Sequence, residues 1–510
     1  MANLRISTFG CGRPFGRRNN TLRLFLVILL FGTCLWISIL RFRIDFSDSR
    51  MRTKVIFSPE EKTLKDIPEK AWISDISKLT DDRISFFKRE QFTDDALKEN
   101  GLIAVTAIVL NWGRVESLRV LVNHISKYPY IKEILIWNNN KTILKPQARN
   151  FKLNNTDVIL NVFNSVENLQ DLSKYIICSM AKYDYCYFQD DDWLNLYMDS
   201  VYTNFLRSPS LIHSNTMAII HLEHRRWTFS NEGKNLHTGF TWLGCGSFVP
   251  RAKVLRFLGQ VGSTSLGRER LRLLDIYFSL WTNQYPYQLS SPLIPLDQTN
   301  GWSNGVDQWS VVYANILDAV QKLYTALATN TDSQQFIRKE EEPYYSNRDV
   351  RAPCANDRCL FVTNIDPFPY PSSVYYTNNI THVREQEAKF NALTFPSNKF
   401  WSKHAYHNAV DMNSNTCWNS FKIPKIGDYF GLQFVEPRVY NKITIVSSKD
   451  ISNFNGSFII ETSPDGNEWQ ICDKKSSSQD HTDPSLIPSS HSIVMRFDCR
   501  SAKNDENGPF

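Results

Sequence analysis

Three consecutive carboxylates, Asp190, Asp191 and Asp192, follow the apolar residues YCYF at positions 185 to 188, with Gln189 between them. Concentrated negative charge at the end of a buried strand is unfavourable unless a cation compensates it. Carboxylate oxygens suit Mg²⁺ or Mn²⁺, and such an ion can also bridge a diphosphate and neutralise the charge that develops as it leaves. The triplet therefore predicts a divalent-metal site. The alternative interpretation is an acidic, solvated turn.

The elements that must position this triplet alternate between strands and helices. After Gly101 comes LIAVTAIVL, a continuous apolar run that is typical of a strand buried on both faces of a parallel sheet. Apolar residues then recur at helical spacing, at Val115, Leu118, Leu121, Val122 and Ile125. Further strands are predicted at 131–137 and 157–163, and a helix at 169–183. This order predicts an α/β domain over residues 101–345, with its ligand site at the carboxyl ends of the strands.

Several motifs in this region resemble the exostosin-like glycosyltransferases, the C-terminal catalytic domain of the heparan-synthesising family. They are VLNWGRVESLRVLVNHI, IKEILIWNNN, YFQDDDW, LLDIYFSLW and TNGWSNGVDQWSVVYANILDAVQKL, which occur in this order between residues 109 and 323. The resemblance implies a GT-A type fold, an open mixed sheet with a Rossmann-like nucleotide-sugar domain. It further implies a UDP-sugar donor, Mn²⁺ (or Mg²⁺) as the cofactor, and transfer of the sugar with retention of anomeric configuration.

The resemblance also assigns roles to residues of this chain. Asp192 is the expected metal ligand, and Asp190 and Asp191 are expected to serve the ribose or the water shell of the ion. The remaining residues of the expected UDP-sugar pocket are Leu110, Asn111, Arg114, Asn138 and Asn139. Arg114 offers a guanidinium fork that matches phosphate oxygens, although a surface charge is the alternative. Turn formation is the alternative for the two asparagines of the WNN motif.

Asp275 in LLDIYF is the expected catalytic residue. The resemblance places it near the donor sugar and the acceptor hydroxyl, where it either orients the sugar or accepts the acceptor proton as a general base. A helix cap is the alternative for an isolated aspartate among apolar residues. Two departures from the family occur nearby. Leu274 replaces one acidic partner, and the segment NSVENLQDLSKY lacks the usual Asn-Arg pair, with Lys174 as the candidate substitute.

The C-terminal region has a different character. Residues 346–375 are rich in Pro, Asp, Asn and Tyr and are predicted to form a linker. Residues 376–500 resemble a discoidin or coagulation-factor type C domain, a galactose-binding-like β-sandwich with jelly-roll topology. The motifs that carry this resemblance are AVDMNSNTCW, GDYFGLQF and FIIETSPDGNEW. Such a module is expected to bind an acceptor glycan, with a purely structural domain as the alternative. Residues 501–510 form a short tail.

The N-terminal region carries one charge-free apolar stretch, LFLVILLFGTCLWISIL at 24–40, which is long enough to predict a transmembrane signal anchor. Residues 1–23 would then be a cytosolic tail and 41–100 a stem. This arrangement predicts a single-pass type II protein of the Golgi or endoplasmic reticulum membrane with a luminal catalytic domain. In an oxidising lumen some cysteines should pair, and Cys354 and Cys359 are close enough in sequence to do so.

Composition and charge narrow the possible functions. The chain has 510 residues, of which 42% are hydrophobic, and a formal net charge of +6, which gives no argument for nucleic-acid binding. The function predicted from the residues and the resemblance is transfer of a hexose or N-acetylhexosamine from a UDP-sugar to a glycan or glycoprotein acceptor. The alternative is a catalytically inactive, glycan-binding membrane protein. A metal-dependent hydrolase is disfavoured because no histidine cluster accompanies the aspartates.

Overall fold

The helices and strands below come from a computed structural model of the chain. It describes residues 71–140, 145–217, 227–264, 266–297, 308–329, 350–365, 374–385, 404–413, 415–420, 424–436, 442–447, 459–464, 466, 468–479 and 491–498. The predicted cytosolic tail, signal anchor and C-terminal tail lie outside these residues, as does the start of the predicted stem. In the described part of the chain, no helix combines the length and the apolar character needed to span a bilayer.

Besides a helical segment at 380–385, eight α-helices are found in the described residues. They are α1 (Ala71–Asp81), α2 (Asp94–Asn100), α3 (Val115–Ile125), α4 (Leu172–Ser179), α5 (Met198–Arg207), α6 (Arg251–Thr264), α7 (Leu274–Trp281) and α8 (Gln308–Thr329). The predicted periodicity is observed in α3, whose residues Val115, Leu118, Leu121, Val122 and Ile125 are all buried. Short 3₁₀ turns at Arg89–Phe92, Ala148–Asn150, Glu232–Lys234, Arg270–Leu273 and Tyr406–Ala409 connect the elements.

The strands of the described residues are numbered in chain order. They are β1 (Val105–Asn111), β2 (Ile131–Asn138), β3 (Ile159–Asn164), β4 (Tyr185–Asp190), β5 (Trp193–Leu194), β6 (His213–Thr216), β7 (Thr228–Asn231), β8 (Leu236–Gly239), β9 (Cys245–Pro250), β10 (Tyr287–Ser290), β11 (Ile294–Pro295), β12 (Val350–Pro353), β13 (Cys359–Thr363), β14 (Val374–Tyr375), β15 (Phe430–Phe434), β16 (Lys442–Ser447), β17 (Glu461–Thr462), β18 (Gln470–Ile471), β19 (Asp473–Gln479) and β20 (His491–Asp498).

Ten strands form one mixed sheet in the order β15-β13-β12-β10-β6-β9-β4-β1-β2-β3. The block from β4 to β3 is parallel, and β9 is antiparallel to both β4 and β6. One face packs against α4, α6, α7 and α8, and the other packs against α3 and α5. The α/β prediction with a large mixed sheet is therefore confirmed, and β1, β2, β3 and β4 lie where the sequence predicts strands.

The sheet continues beyond the predicted domain boundary at residue 345. The predicted linker 346–375 contains β12 and β13, and the Cys354–Cys359 disulfide closes the turn between them, as predicted. Strand β15, which carries part of the GDYFGLQF motif, pairs with β13 in this sheet. These strands extend the main sheet because pairing with a neighbouring strand gives their backbone N–H and C=O groups hydrogen-bond partners. The other C-terminal strands pair antiparallel, as β16-β20-β19 and β17-β18.

The last part of the predicted stem belongs to the core. Phe87 packs edge-to-face against Tyr130 and Tyr202, at ring-centroid distances of 5.8 and 5.1 Å. Phe92 is buried in the same cluster. Aromatic side chains of this size contribute strongly to the stability of a core when they are buried away from water. The segment around residues 85–92 is therefore an integral part of the folded unit rather than a spacer.

Candidate functional site

The parallel strands of the sheet end in a row of asparagines. Strand pairing aligns Asn111 of β1 with Asn138 of β2, and Asn138 with Asn164 of β3. The Asn111 amide donates to Asn138 at 2.8 Å, and the Asn138 amide donates to Asn164 at 2.9 Å. Leu110 lies one residue earlier, opposite Asp190 of β4. Asn111, Asn138 and the aspartates thus meet at one edge of the sheet. Asn164 was not among the predicted site residues, although its position at the end of a parallel strand could have identified it as a candidate.

Asn139 has a different role from its neighbours. Its side-chain oxygen accepts hydrogen bonds from the indole of Trp137 and from the backbone N–H of Leu169, both at 3.1 Å. Its amide donates to Gln170 and Ser173 at the start of α4. Every polar atom of the Asn139 side chain is therefore engaged within the protein. Its geometry is that of a residue that anchors the chain segment leading into α4.

Arg114 contacts two carboxylates of the Asp190–Asp192 triplet. Its guanidinium donates to Asp191, and the same nitrogen lies 3.7 Å from Asp192. Asp191 also accepts the backbone N–H of Trp112 at 2.9 Å, and only 4% of its side chain is exposed. By contrast, 32% of the Asp190 side chain and 26% of the Asp192 side chain are exposed. The triplet thus presents one internal carboxylate and two that face outward.

Lys174 connects the triplet to Asp275. Its ammonium group lies 3.4 Å from Asp190 and 3.2 Å from Asp275, and the side chain is 2% exposed. Asp275 also accepts hydrogen bonds from the Tyr175 hydroxyl at 2.7 Å and from the Leu243 backbone N–H at 3.1 Å. Both oxygens of the buried Asp275 carboxylate are therefore occupied by protein donors. Lys174 was predicted only as a substitute for the missing Arg, and its contact with Asp275 was not predicted.

The electrostatics of the triplet reflect an excess of negative charge. Burial raises the pKa of Asp191 to about 6, although Arg114 opposes the shift. Burial and the two neighbouring carboxylates raise the pKa of Asp192 to about 7. Burial lowers the pKa of Lys174 but Asp190 and Asp275 outweigh it, so that this pKa lies well above its usual value. The two cations therefore stay charged, while the carboxylates hold protons more tightly than usual.

The loop before β9 contacts the first residue of the triplet. The carbonyl of Gly244 accepts the Asp190 backbone N–H at 2.7 Å. A methyl group at Gly244 would lie 1.9 Å from the Asp190 carboxylate, so only glycine leaves room for this side chain. Sequence analysis had assigned no role to Gly244. Its only sequence signal is the glycine-containing motif WLGCG, which does not reveal what the glycine approaches.

The residues present fit a metal ion that is shared with a ligand. Within the described ranges, no three carboxylate, imidazole or thiol groups converge on one ion. Mg²⁺-type ions are often held by one or two carboxylates and completed by phosphate oxygens, and the outward-facing Asp190 and Asp192 suit this mode. Among the described residues, Asp171, Asp190, Asp191, Asp192 and Asp275 are ion-paired with Arg114 and Lys174, so that carboxylates outnumber these cations by three when all are ionised. A divalent cation would compensate two of these charges.

Among known proteins, the chain resembles solved structures only at the level of its fold elements. No family model and no curated protein matches the chain. Matching solved structures include the mannosyltransferase PcManGT from Pyrobaculum calidifontis in complex with GDP-Man and Mn²⁺, with a TM-score of 0.30 and 12% sequence identity. That match covers 48% of this chain and 66% of the other, so the chain spans slightly less than two thirds of it. A likeness this weak carries no conclusion about function.

Proposed function

We propose that this chain is a glycosyltransferase that moves a sugar from a nucleotide-sugar donor to a glycan or glycoprotein acceptor. The donor class is a UDP-sugar carrying a hexose or N-acetylhexosamine, and transfer is metal-dependent and retaining. The observation that carries the proposal is the meeting of Asp190, Asp192, Arg114 and Lys174 at the carboxyl edge of a parallel strand block. Ligands of open α/β sheets bind at this edge.

The proposed chemistry divides the charged residues by what they contact. Asp192 and Asp190 would hold Mn²⁺ or Mg²⁺ through their outward-facing oxygens. The ion would supply charge neutralisation to the departing diphosphate. Arg114 presents its guanidinium beside Asp192, where it would donate to the diphosphate. Asn111 and Asn138 would line the part of this edge where the nucleotide binds. Their side chains are already held in position, since the Asn111 amide donates a hydrogen bond to Asn138.

Asp275 is proposed as a positioning residue. A general base must reach the proton that it removes. The Asp275 carboxylate is buried and accepts hydrogen bonds from Lys174, Tyr175 and Leu243. These contacts support the alternative in which Asp275 does not accept the proton but helps to orient the donor sugar, by holding Lys174 in position.

A second candidate function is a catalytically inactive, glycan-binding membrane protein. It is favoured by the ion pairs that Arg114 and Lys174 already form with the triplet, because these satisfy part of the charge that a metal would neutralise. In this case the residues from 376 onward would bind the glycan, with the antiparallel strands β16, β19 and β20 as part of the proposed discoidin-like β-sandwich, whereas β15 belongs to the main sheet. Under either function we propose an N-terminal membrane anchor and a luminal, Golgi or endoplasmic reticulum location.

The decisive experiment measures UDP release by the purified full-length chain from a panel of UDP-sugars, with and without Mn²⁺. We expect release from one donor class only when the metal is present, and a loss of about 100-fold or more in Asp192→Ala because a charge-stabilising group is removed. Asp184→Asn is the matched control, since Asp184 is 84% exposed and precedes the same strand. Folded protein that neither releases UDP nor binds UDP or Mn²⁺ calorimetrically would favour the inactive candidate.

A further inference from the structure

Lys174 is a buried cation surrounded by carboxylates from different elements. It lies on α4, whereas Asp190 ends β4 and Asp275 lies in the first turn of α7. A third carboxylate, Asp171, is 4.0 Å from the Lys174 ammonium. Burying an ammonium is costly unless hydrogen-bonding anions surround it, and three donor hydrogens can serve three such partners. Lys174 therefore donates hydrogen bonds to Asp190 and Asp275 inside the protein, and Asp171 adds an opposite charge at longer range.

The position of Lys174 relative to Asp190 is also covalently constrained. The Cys178–Cys186 disulfide joins α4 to β4. Cys178 lies one helical turn after Lys174, and Cys186 lies four residues before Asp190. Both cysteines are buried. The ammonium group is thus held beside the end of β4 by the packing of α4 and by this bond.

Lys174 neutralises part of the negative charge of Asp190 and Asp275. Without its positive charge, Asp190 and Asp275 would face each other with no contacting cation among the described residues. The unbalanced charge of the site would then increase by one unit, and a divalent ion would be attracted more strongly. With Lys174 in place, the attraction for a free ion is moderated on the side that faces the interior.

We propose, on the basis of the function proposed above, that Lys174 is a built-in counter-ion and positioning residue that keeps the affinity for free Mn²⁺ low. The metal then binds firmly only when a nucleoside diphosphate supplies further oxygen ligands. Lys174 thereby makes binding of the metal depend on binding of the donor. Its ammonium also holds Asp190 and Asp275 in place as the donor arrives.

The test is titration of the full-length chain with Mn²⁺, in which electron paramagnetic resonance measures the free ion with and without UDP. For the wild type we expect weak binding without UDP and tight binding with it. Lys174→Met should bind Mn²⁺ about tenfold more tightly, or better, without UDP, since one positive charge has been removed. Lys174→Arg, which keeps the charge, should bind Mn²⁺ like the wild type.

A double variant, Lys174→Met with Asp275→Asn, restores the net charge of the site and should restore the wild-type Mn²⁺ affinity. Equal or weaker Mn²⁺ binding by Lys174→Met would overturn the inference. If Lys174→Met does not fold, a folded double variant supports a charge role, and an unfolded one overturns it by showing that Lys174 acts through packing. A wild type that binds no Mn²⁺ even with UDP would overturn the metal-dependent function itself, so the two failures differ.

Discussion

Two clusters of carboxylates in this protein have raised pKa values but differ in what compensates them. The first is the Asp190–Asp192 triplet, and the second is the pair Asp199 and Asp357. Burial raises the pKa of Asp199 to about 6, and burial next to Asp199 raises the pKa of Asp357 to about 8. A raised pKa therefore does not by itself distinguish a functional site from a structural one.

The hydrogen-bond donors make the distinction. Asp357 accepts the backbone N–H groups of Asp199 and Ser200, at 3.0 and 2.9 Å, in the first turn of α5. Asp199 accepts the backbone N–H of Phe86 at 2.6 Å and the Ser85 hydroxyl at 2.9 Å. Asp357 is thus held by fixed backbone donors, whereas Asp190 and Asp191 are paired with the charged side chains of Lys174 and Arg114. The pair Asp199 and Asp357 joins segments that are distant in the chain. The triplet instead keeps the Asp190 and Asp192 side chains partly exposed.

The largest effect expected from this comparison is on stability. Asp357→Ala should lower the free energy of unfolding by about 2 to 3 kcal/mol, because two buried N–H groups at a helix start lose their acceptor. UDP release per folded molecule should not change. Urea denaturation of the full-length chain measures the first quantity. Asp192→Ala is the opposite case and should leave stability unchanged or raised. Loss of UDP release by folded Asp357→Ala would break the distinction between the two clusters.

The first cluster was largely predictable from the sequence, and the second was not. A continuous apolar run identified β1, because both faces of this strand are buried, and shorter apolar stretches identified β2 and β4. Parallel strands end at one edge, so Asn111, Asn138 and Asp190 were expected to meet. Asp199 and Asp357 are 158 residues apart, and nothing in either local pattern indicates the other.

Partners that lie far apart in sequence explain the other differences. The strand pattern of Phe430–Phe434 indicates a strand but not its neighbour, and the structure pairs it with Cys359–Thr363 in the main sheet. Lys174 and Asp275 are 101 residues apart, so neither one reveals their contact. The roles predicted for the UDP-sugar pocket and for Asp275 remain predictions, and the experiments proposed above test them.

The pH dependence of stability should separate the clusters further. A folded carboxyl with a raised pKa binds a proton that the unfolded chain has already released, so the free energy of unfolding falls as pH rises through this window. For Asp357 the window runs from about 4 to about 8, and for Asp192 it ends at about 7. Between pH 5 and 7 we expect the free energy of unfolding of the metal-free protein to fall by up to about 1.4 kcal/mol per pH unit for each of these two groups.

Two treatments should flatten different parts of this pH dependence. Asp357→Asn removes the titrating group of the second cluster and keeps a side chain that tolerates the left-handed backbone at this position, where φ is 56°. Saturating Mn²⁺ with UDP should remove only the contribution of the carboxylates that hold the ion, Asp190 and Asp192, because a bound cation replaces the proton. Urea denaturation at several pH values measures both slopes. If Mn²⁺ and UDP leave the slope unchanged, the triplet is a structural cluster like the pair.

The smallest expected effect concerns the position of Asp190 rather than its charge. Gly244→Ala places a methyl group where the Asp190 carboxylate lies, so this side chain must rotate away from Lys174. Because the carboxylate is displaced and not removed, we expect UDP release to fall only about threefold to tenfold. Gly259→Ala in α6 is the matched control, since its methyl group would meet no atom within 4 Å. This control should keep full activity and gain slightly in stability, as alanine is favoured over glycine in helices. Wild-type activity in Gly244→Ala would show that the position of Asp190 beside Lys174 is not needed for UDP release, which would leave the proposed metal binding to Asp192.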